Sequence, residues 1–433
     1  MNDLKPISEI QEAVLDKSLD GTLARLYRRQ DKELGPYRER ILKLLERYSE
    51  IFDASPGDKA AVFSAPGRTE LGGNHTDHQG GKVLTAAVDL DALCCAAPNG
   101  TDAVSIYSEG FGMTSISAKD TAVHEEEKGT SAAIVRGVLD GLAAKGCRAG
   151  GFNAYVVSDV PGGSGLSSSA CFEILVGTVA DGLFGGGGTD SEEMAKIGQY
   201  AENTYFGKPS GLLDQMGCSI GGIVSVDFAD RKRPVCRKVD FDFAAAGHAL
   251  CIIDTGGDHS GLTDYYSAIP GEMCAAARVF GKPILSEVEE SRFLEALPEV
   301  RREAGDRALM RALHYYADCR RVEEQVAALE GGDFDRYLQL VRASGDSSFK
   351  CLQNVDTHRD PADQPVVLAL AAAEQLLGDA GAVRVHGGGF AGTIQAYVPF
   401  EKLDSFRTGM DRLFGDGAVR VVYVRPVGGC RII

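Results

Sequence analysis

The segment VPGGSGLSSSA at residues 160–170 decides how the chain is organised, because it joins a strand-like alternating stretch to a helical one. Its three glycines let the backbone wrap a phosphate chain with successive N–H groups pointing at it, and the following helix adds the positive end of its dipole. Its three serines are more than the single hydroxyl that simple helix capping requires. The segment therefore predicts a phosphate-binding loop rather than only a capped helix.

Composition narrows the kinds of partner that the chain can have. The 433 residues include 45 Lys and Arg against 62 Asp and Glu, a formal net charge of −17, and 53 are glycine. An acidic chain repels phosphate backbones, so we expect no nucleic acid as a main partner, whereas backbone N–H groups can still hold a small anion. The eleven cysteines form no CxxC pair, and the sequence has no signal-like N-terminus and no apolar run of membrane-spanning length. These features predict a cytoplasmic protein with reduced thiols and no membrane partner.

Hydrophobic periodicity predicts two halves that each mix helices with strands. The boundary falls between the basic turn at 231–234 and Gly247, which gives domains at residues 1–240 and 241–433. Two amphipathic helices are expected over residues 8–49, split near Gly35. The other predicted elements are strands at 59–64, 85–97, 152–160, 223–228, 248–254, near 383, near 394 and at 419–424, and helices at 167–183, 190–206, within 262–343, at 364–377 and at 401–413.

Three other nucleotide-binding patterns fail on inspection. The chain has no G-x-x-x-x-G-K-[ST] loop. The triplet HRD at 358–360 is followed at once by Pro361, and the Asn that a protein-kinase catalytic loop needs is missing. Residues 387–392 match G-x-G-x-x-G, but the strand-like TIQAYV follows where a dinucleotide-binding motif requires a helix.

A second polar stretch, APGRTELGGNHTDHQGG at residues 65–81, groups hydrogen-bonding side chains between glycines that cannot pack a core. Donors and acceptors at such short spacing can each meet one hydroxyl of a polyhydroxyl ligand. A plain solvated loop and a metal site built on two of the histidines remain open as alternatives. The side chains concerned are Arg68, Asn74, His75, Asp77 and His78.

Two further features lie downstream. The glycine-rich HGGGFAG at 386–392 stands between two strand-like stretches, where a ligand loop and a tight hairpin with a bulge are equally compatible with it. Glu202 and Asp214 follow the phosphate loop in sequence, and Asp214 stands where a loop runs into a helix. A carboxylate near a phosphate loop can hold Mg²⁺ or orient a hydroxyl for attack, and a solvated or capping carboxylate is the alternative for each of them.

Taken in order, these motifs resemble those of the GHMP kinases, the superfamily that includes galactokinase, homoserine kinase, mevalonate kinase and phosphomevalonate kinase. Residues 65–81 are similar to the galactokinase signature A-P-G-R-x-N-x-I-G-E-H-x-D-Y-x-x-G, residues 161–170 to the ATP loop P-x-G-x-G-L-S-S-S-A, and residues 387–392 to the third motif G-G-G-F-G-G. The segment 202–215 fits the one that holds the metal glutamate and the catalytic aspartate. The resemblance runs from about residue 40 to the C-terminus and is closest to the galactokinases.

The resemblance implies an α+β (α/β) fold of two domains, with a ribosomal-protein-S5-domain-2-like unit first, a ferredoxin-like domain second and the active site between them. It also implies an ATP-dependent sugar 1-kinase, most closely a galactokinase, that converts D-galactose and ATP to galactose 1-phosphate and ADP with Mg²⁺ as cofactor. The expected partners are a small-molecule sugar and ATP, and the expected state is a monomer or weak oligomer.

The resemblance assigns roles residue by residue. Asp214 corresponds to the catalytic aspartate, as base or as orienter of the attacking hydroxyl, and Arg68 to the arginine that stabilises charge on the transferring group. Ser169 and Glu202 correspond to the Mg²⁺ ligands. The implied sugar contacts are Asn74, His75, Asp77, Gly211 and Tyr266, and the phosphate loop comprises Gly162, Gly163, Ser164, Gly165, Leu166, Ser167, Ser168 and Ser169. The assignment of Tyr266 rests on the register of His259 and Ser260.

Among the departures from the family pattern, four bear on which sugar is used. Asn74 stands where galactokinases have Glu, Glu70 where they have Asn, His78 where they have Tyr and Ala391 where they have Gly. A neutral amide is a weaker acceptor than a carboxylate by roughly 1 kcal/mol. A kinase for another sugar (an arabinose, an N-acetylhexosamine or a uronic acid) is therefore the alternative, and a non-catalytic sugar sensor is a second one. If the site has drifted from galactose, Asn74→Glu should improve galactose turnover.

Overall fold

Two β-sheets organise the chain. The computed structural model describes residues 4–163, 165–208, 210–257, 261–357 and 359–433. Within these residues the strands are β1 (Lys5–Pro6), β2 (Lys59–Gly72), β3 (Lys82–Pro98), β4 (Ala103–Ser108), β5 (Gly112–Ser117), β6 (Phe152–Ser158), β7 (Ile223–Asp227), β8 (Val235–Val239), β9 (His248–Asp254), β10 (Ala382–Val385), β11 (Thr393–Pro399), β12 (Val419–Val422) and β13 (Cys430–Arg431).

Helices cover both sheets. In the described residues they are α1 (Ile7–Leu15), α2 (Asp20–Tyr27), α3 (Gly35–Phe52), α4 (Ser131–Ala144), α5 (Ser168–Ala180), α6 (Ser191–Tyr200), α7 (Leu213–Ile220), α8 (Thr263–Arg278), α9 (Glu290–Glu295), α10 (Leu297–Ala304), α11 (Asp306–Glu330), α12 (Phe334–Ser347), α13 (Pro365–Leu377) and α14 (Leu403–Phe414). Short π-helical turns continue three of them, at Asp181–Gly185, Ala201–Phe206 and Ser348–Leu352.

The larger sheet is built around the long strand β3. Its order is β1-β2-β3-β6-β4-β5, and the strands pair antiparallel except for β4 with β6. The first part of β3 pairs with β7 and its last part with β6, whereas β2 runs along its other edge. The last strand, β13, returns from the end of the chain to pair with β2.

Both faces of this sheet are covered, which explains why β2 and β3 are buried along almost their whole length rather than at alternate residues. Ala60 and Val62 of β2 pack with the N-terminal helices α1 to α3. Their neighbours Ala61 and Phe63 point to the opposite face, where α4, α5 and α6 lie. Successive strand residues therefore serve two different cores.

The smaller sheet is antiparallel, in the order β10-β11-β9-β12. Ala249, Cys251 and Ile253 of β9 face α13 and α14. The alternate residues Leu250 and Ile252 face the core that contains α12. This sheet is made entirely of chain beyond residue 247, whereas every strand of the larger sheet except β13 ends by residue 239.

A long apolar helix lies inside the larger core. Residues 168–185, which are α5 and its π-turn, are long and apolar enough to cross a membrane by length and composition alone, but 61% of that window is buried in the protein. Its residues Ile174, Leu175 and Val179 pack in the core of the larger sheet. The helix is therefore a core element of the fold.

Several predicted elements differ from those observed. Residues 8–49 form three helices rather than two, and Gly35 begins the third of them. Strand β2 does not stop at Ser64 but runs to Gly72, because pairing with β3 continues through two bulges. The hairpin of β4 and β5 was not predicted. Strand β9 has the predicted bounds, and the glycine-rich loop at 386–392 does lie between two strands, β10 and β11.

Candidate active site

An ion pair between Arg68 and Asp214 lies at the centre of the site. Arg68 is a buried residue of β2 and Asp214 stands in the first turn of α7. Arg68 Nε donates to Asp214 Oδ1 at 2.8 Å, and a second guanidinium nitrogen lies 2.5 Å from the same oxygen. Burial alone would raise the pKa of Asp214, but Arg68 and the hydroxyl of Ser167 lower that pKa below its usual value. The carboxylate therefore stays ionised at neutral pH.

Hydrogen bonds join the predicted phosphate loop to this ion pair. Ser167 Oγ donates to Asp214 Oδ2 at 2.8 Å, and the backbone N–H of Arg68 donates to the carbonyl of Leu166 at 3.0 Å. The Arg68 guanidinium also donates to the carbonyl of Gly165. Ser167 has a φ of 58°, a left-handed conformation that non-glycine residues adopt only where the surroundings hold them. The predicted loop residue Ser164 lies outside the described residues.

Glu202 reaches the start of α5 from a π-helical turn. Its side chain is buried, and Ser169 Oγ lies 3.5 Å from Oε1. Lys208 Nζ donates to the same oxygen at 2.8 Å. One hydroxyl and one carboxylate fit Mg²⁺, which usually takes one or two protein oxygens and completes its shell with phosphate and water. The sequence did not single out Lys208.

A second carboxylate, that of Glu173, shares a hydrogen-bond donor with Glu202. Gln215 Nε2 donates to Glu202 Oε2 at 3.0 Å and to Glu173 Oε2 at 2.9 Å, so one amide group holds two carboxylates. Burial, with the charge of Glu202 added, raises the pKa of Glu173 well above its usual value. Glu173 follows Ser169 by one helical turn of α5, which is the only sequence signal that could have indicated it.

The loop after β2 brings His75 and Asp77 to the other side of Asp214. A Cβ atom added at Gly211 would lie 1.6 Å from Asp77 Oδ2, so these two predicted residues are in close contact. Burial, together with the charge of Asp214, raises the pKa of Asp77 to about 6. Burial lowers the pKa of His75 to about 4, and the neutral ring donates from Nε2 to the carbonyl of Gly388 at 3.0 Å.

The glycine-rich loop at residues 386–392, in the C-terminal half of the chain, borders the site. Tyr266 donates its hydroxyl to the carbonyl of Gly389 at 2.9 Å, and a Cβ at Gly388 would lie 2.7 Å from the Tyr266 ring. Phe390 has a φ of 60° and packs edge-on against Tyr266 at 5.5 Å between ring centroids. His75 and Tyr266 therefore contact the same short loop, although they are far apart in sequence.

Asn74 differs from its expected placement as a sugar contact, because its side chain is fully buried and already bonded within the protein. Nδ2 donates to both oxygens of Glu70, at 3.0 and 3.2 Å, and to the carbonyl of Gly387 at 2.8 Å. Oδ1 accepts from Asn354 at 2.8 Å and from Ser348 at 3.3 Å. A sugar hydroxyl could bond this amide only by displacing one of these partners.

The alternative of a metal site on His75 and His78 gains no support from the described residues. Their rings lie 5.8 Å apart between centroids. No group of three or more His, Cys, Asp or Glu side chains that could hold a metal ion occurs in the part of the chain that is described. Burial lowers the pKa of His78 well below its usual value.

The structure thus gathers most of the predicted residues around one cleft. Hydrogen bonds join Arg68 and Asp214 to the predicted phosphate loop, Ser169 lies beside Glu202, and Asp77 is in contact with Gly211. The residues that sequence reasoning missed are Lys208, Glu173 and Gln215, together with Arg384 of β10, which donates to the buried carboxylate of Glu70.

Two protein-family models match the chain in the segments that build this site. The galactokinase galactose-binding signature matches residues 46–98, and the GHMP kinases N terminal domain matches residues 133–222. The first range contains Arg68, His75 and Asp77, and the second contains the phosphate loop, Glu202 and Asp214.

Curated relatives match over most of the chain. A galactokinase from Actinobacillus pleuropneumoniae is 32% identical over 352 residues, which cover 80% of this chain and 88% of the relative. The chain belongs to the galactokinase family. A galactokinase from Streptomyces coelicolor is 29% identical over 394 residues, 89% of this chain and 97% of the relative. The predicted membership of the GHMP kinases, closest to galactokinase, is confirmed.

Solved structures share the fold. Lactococcus lactis galactokinase complexed with galactose matches with a TM-score of 0.76 at 24% identity, over 90% of this chain and 99% of that one. A D-glycero-D-manno-heptose 1-phosphate kinase matches with a TM-score of 0.58 at 15% identity, over 86% of this chain and 98% of that one. The predicted fold class, the two-domain α/β fold of the GHMP kinases, is confirmed. As a member of this kinase family, the protein is a sugar kinase that uses ATP.

Proposed function

We propose that this member of the family transfers the γ-phosphoryl group of ATP to the anomeric hydroxyl of D-galactose. The observation that carries the proposal is the Arg68–Asp214 pair, which lies between the predicted phosphate loop and the residues proposed to bind the sugar. On one side Ser167 and the carbonyls of Gly165 and Leu166 fasten the pair to the phosphate loop. On the other side, Asp77 lies close enough to Asp214 that the charge of Asp214 adds to the effect of burial in raising the pKa of Asp77.

Each residue has a definite part in the proposed transfer. A bond forms between the anomeric oxygen and the γ-phosphorus, the bond from that phosphorus to the β–γ bridging oxygen breaks, and ADP leaves with the electron pair. The anomeric proton is oriented or accepted by Asp214, which is ionised before the substrate arrives. Arg68 balances negative charge on the transferring group. The residues proposed to bind the sugar are His75, Asp77, Gly211 and Tyr266. Asn74 is proposed to support these residues without contacting the sugar.

The phosphate groups of ATP are proposed to lie on residues 162–169, where backbone N–H groups and the N-terminus of α5 favour anions. Ser169 and Glu202 are the residues that would hold Mg²⁺. When bound there, the ion would neutralise charge on the β- and γ-phosphates. Lys208, which now bonds Glu202, would then be released towards solvent, where more than half of its side chain already lies.

Other assignments remain part of this proposal. We place the two domains at residues 1–240 and 241–433, with β13 as a return to the first. A monomer or weak oligomer in the cytoplasm is also proposed.

A kinase for another sugar is the second candidate, and the burial of Asn74 is the observation that favours it. Where galactokinases have Glu, this chain has an amide whose donors and acceptors are already engaged. At this position the sugar-binding side thus presents no free hydrogen-bonding group. The difference concerns the sugar alone, because none of these contacts involves the phosphate loop.

A sugar panel tests the proposal directly. ADP release is measured with galactose, arabinose, N-acetylgalactosamine and galacturonic acid at saturating ATP and Mg²⁺. We expect galactose to have the highest kcat/KM, and the second candidate replaces the first if another sugar exceeds it by tenfold or more. Asp214→Asn should lower kcat by about 10²–10⁴-fold with each sugar while ATP still binds. The surface variant Asp102→Asn should leave turnover unchanged.

A further inference from the structure

Two of the positions that depart from the family pattern are in contact with each other. The galactokinase signature has Asn and Glu where this chain has Glu70 and Asn74. In the structure Asn74 Nδ2 donates to Glu70 Oε1 at 3.0 Å and to Oε2 at 3.2 Å. The two departures are therefore a single exchange, in which an amide and a carboxylate have traded places within one hydrogen-bonded pair.

The carboxylate of this pair has a cation at its new position. Glu70 lies in β2, and Arg384 of β10 donates to Oε1 at 2.5 Å. Both side chains are buried, and Nε and one terminal nitrogen of Arg384 have no hydrogen-bond partner among the described residues. Removing one member of a buried ion pair leaves an uncompensated charge, which is strongly unfavourable. Arg384 therefore requires a carboxylate within its reach.

The amide of the pair fits its position equally closely. Its two donors meet Glu70 and the carbonyl of Gly387, and its oxygen meets the amide of Asn354 and the hydroxyl of Ser348. The backbone N–H of Asn74 also donates to Asp318 at 2.9 Å. A carboxylate placed here alone would face Glu70, a carbonyl oxygen and Asp318 at once. The single substitution Asn74→Glu is thus expected to harm the site, which reverses the improvement expected from the sequence.

The pair stands directly beside the residues proposed to bind sugar. His75 follows Asn74 in sequence and donates to the carbonyl of Gly388, the neighbour of the carbonyl that Asn74 holds. The bonds from Asn74 thus tie β2 and the loop at 73–81 to the glycine loop at 387–392, and the bond from Arg384 ties β2 to β10. The phosphate loop makes none of these contacts.

We infer that Glu70 and Asn74 act as one exchanged pair that positions the sugar-binding loop, with Glu70 a positioning residue that acts through Asn74. The exchange conserves the summed side-chain length of the pair. A carboxylate returned to position 74 would meet donors already aimed there by Asn354 and Ser348, and an amide at position 70 could donate to it. The two substitutions should therefore compensate each other, although each one alone is harmful.

A double-mutant cycle tests the inference, with Glu70→Asn, Asn74→Glu and the combined variant. Each single variant should raise KM for galactose at least tenfold and KM for ATP less than threefold. The combined variant should return KM for galactose to within about threefold of the parent. If the effects of the single substitutions multiply in the combined variant, the pair is not coupled and the inference fails. A rise in KM for ATP as large as that for galactose would also overturn it, because that result indicates general loss of structure.

Hydrogen exchange gives a readout that needs no turnover, which matters because the kinetic cycle rests on the proposed function. Amides of residues 73–81 should exchange faster in each single variant and regain protection in the combined one, whereas amides at 165–168 should not change. If the parent protein phosphorylates no sugar, the proposed function fails, and this exchange pattern still decides the inference.

A milder variant covers the case in which Glu70→Asn does not fold. Glu70→Gln keeps the side-chain length and an acceptor for Asn74 but removes the charge that Arg384 requires. We expect it to fold, with KM for galactose raised and exchange at 73–81 faster than in the parent. Unchanged exchange together with unchanged KM for galactose would overturn the inference.

Discussion

Asp77 and Asp214 are two aspartates in one cleft whose pKa values shift in opposite directions. Burial and the charge of Asp214 raise the pKa of Asp77 to about 6. For Asp214, burial acts in the same direction, but Arg68 and Ser167 outweigh it and the pKa falls below its usual value. Environments that separate two such pKa values are typical of sites with divided chemical roles. Here the residue beside Arg68 stays ionised, and the residue of the sugar loop is the first to take up a proton.

This difference predicts an acidic limb in sugar use. Because the pKa of Asp77 is raised, its carboxyl stays protonated up to about pH 6 and accepts a hydroxyl hydrogen bond as a carboxylate only above that pH. We expect kcat/KM for the sugar to fall as the pH drops from about 7 to about 5, with KM for ATP little changed. Asp77→Asn should lower kcat/KM for the sugar at neutral pH and abolish this limb. A limb that persists unchanged in Asp77→Asn would assign it to another group.

The loop at 73–81 and the segment before α7 approach each other so closely that position 211 requires glycine. A Cβ at Gly211, in the segment leading into α7, would lie 1.6 Å from Asp77 Oδ2. Real Cβ atoms do not come so near, so either the loop at 73–81 or the start of α7 would have to move. That movement would displace the proposed sugar contacts from Asp214.

Gly211→Ala should therefore impair sugar use more than ATP use. Displacements of about 1 Å at a reacting centre can cost about 10²-fold, so we expect kcat/KM for the sugar to fall by roughly that factor. Steady-state kinetics with each substrate varied in turn provide the measurement. Gly21→Ala, in α2 with nothing within 4 Å of the added Cβ, is the matched control and should leave both KM values as they are. Wild-type sugar kinetics in Gly211→Ala would contradict the packing described.

At the scale of the whole molecule, the end of the chain is fastened into the larger sheet. Arg425 is fully buried and donates to Asp91 Oδ2 at 2.8 Å and to Ser64 Oγ at 2.7 Å. Tyr27 of α2 donates to the same Asp91 oxygen at 2.7 Å, and Arg40 of α3 binds its other one. One buried aspartate thus connects the N-terminal helices, the sheet and the C-terminal segment.

Arg425→Met should destabilise the protein without changing its catalysis. Breaking a buried ion pair by removing one partner costs about 3–5 kcal/mol, and we expect the free energy of unfolding in urea to fall by that amount. KM for the sugar and for ATP should stay at parental values, because the network lies outside the cleft. The exposed Arg420→Met should change stability by no more than about 0.5 kcal/mol. An equal loss of stability in both variants would contradict the role of Asp91.

Motifs within one segment could be predicted from the sequence, and contacts between distant segments could not. The strand before and the helix after residues 160–170, and the two strands around residues 386–392, were predicted correctly because glycine and serine patterns reflect local backbone demands. The course of β2 through Arg68 to Gly72 depends on pairing with β3, which no local pattern records. The bond from Arg384 to Glu70 spans 314 positions, so only the fold reveals that two apparent departures form one pair.

The central claim is that this cleft phosphorylates the anomeric oxygen of galactose. The most direct measurement is the chemical identity of the product, by ³¹P and ¹³C NMR of a reaction of the purified protein with galactose, ATP and Mg²⁺. The account predicts one equivalent of ADP for each sugar phosphate, with the phosphorus coupled to C1 of galactose. Phosphate on any other carbon, or ADP formed without sugar phosphate, would contradict it.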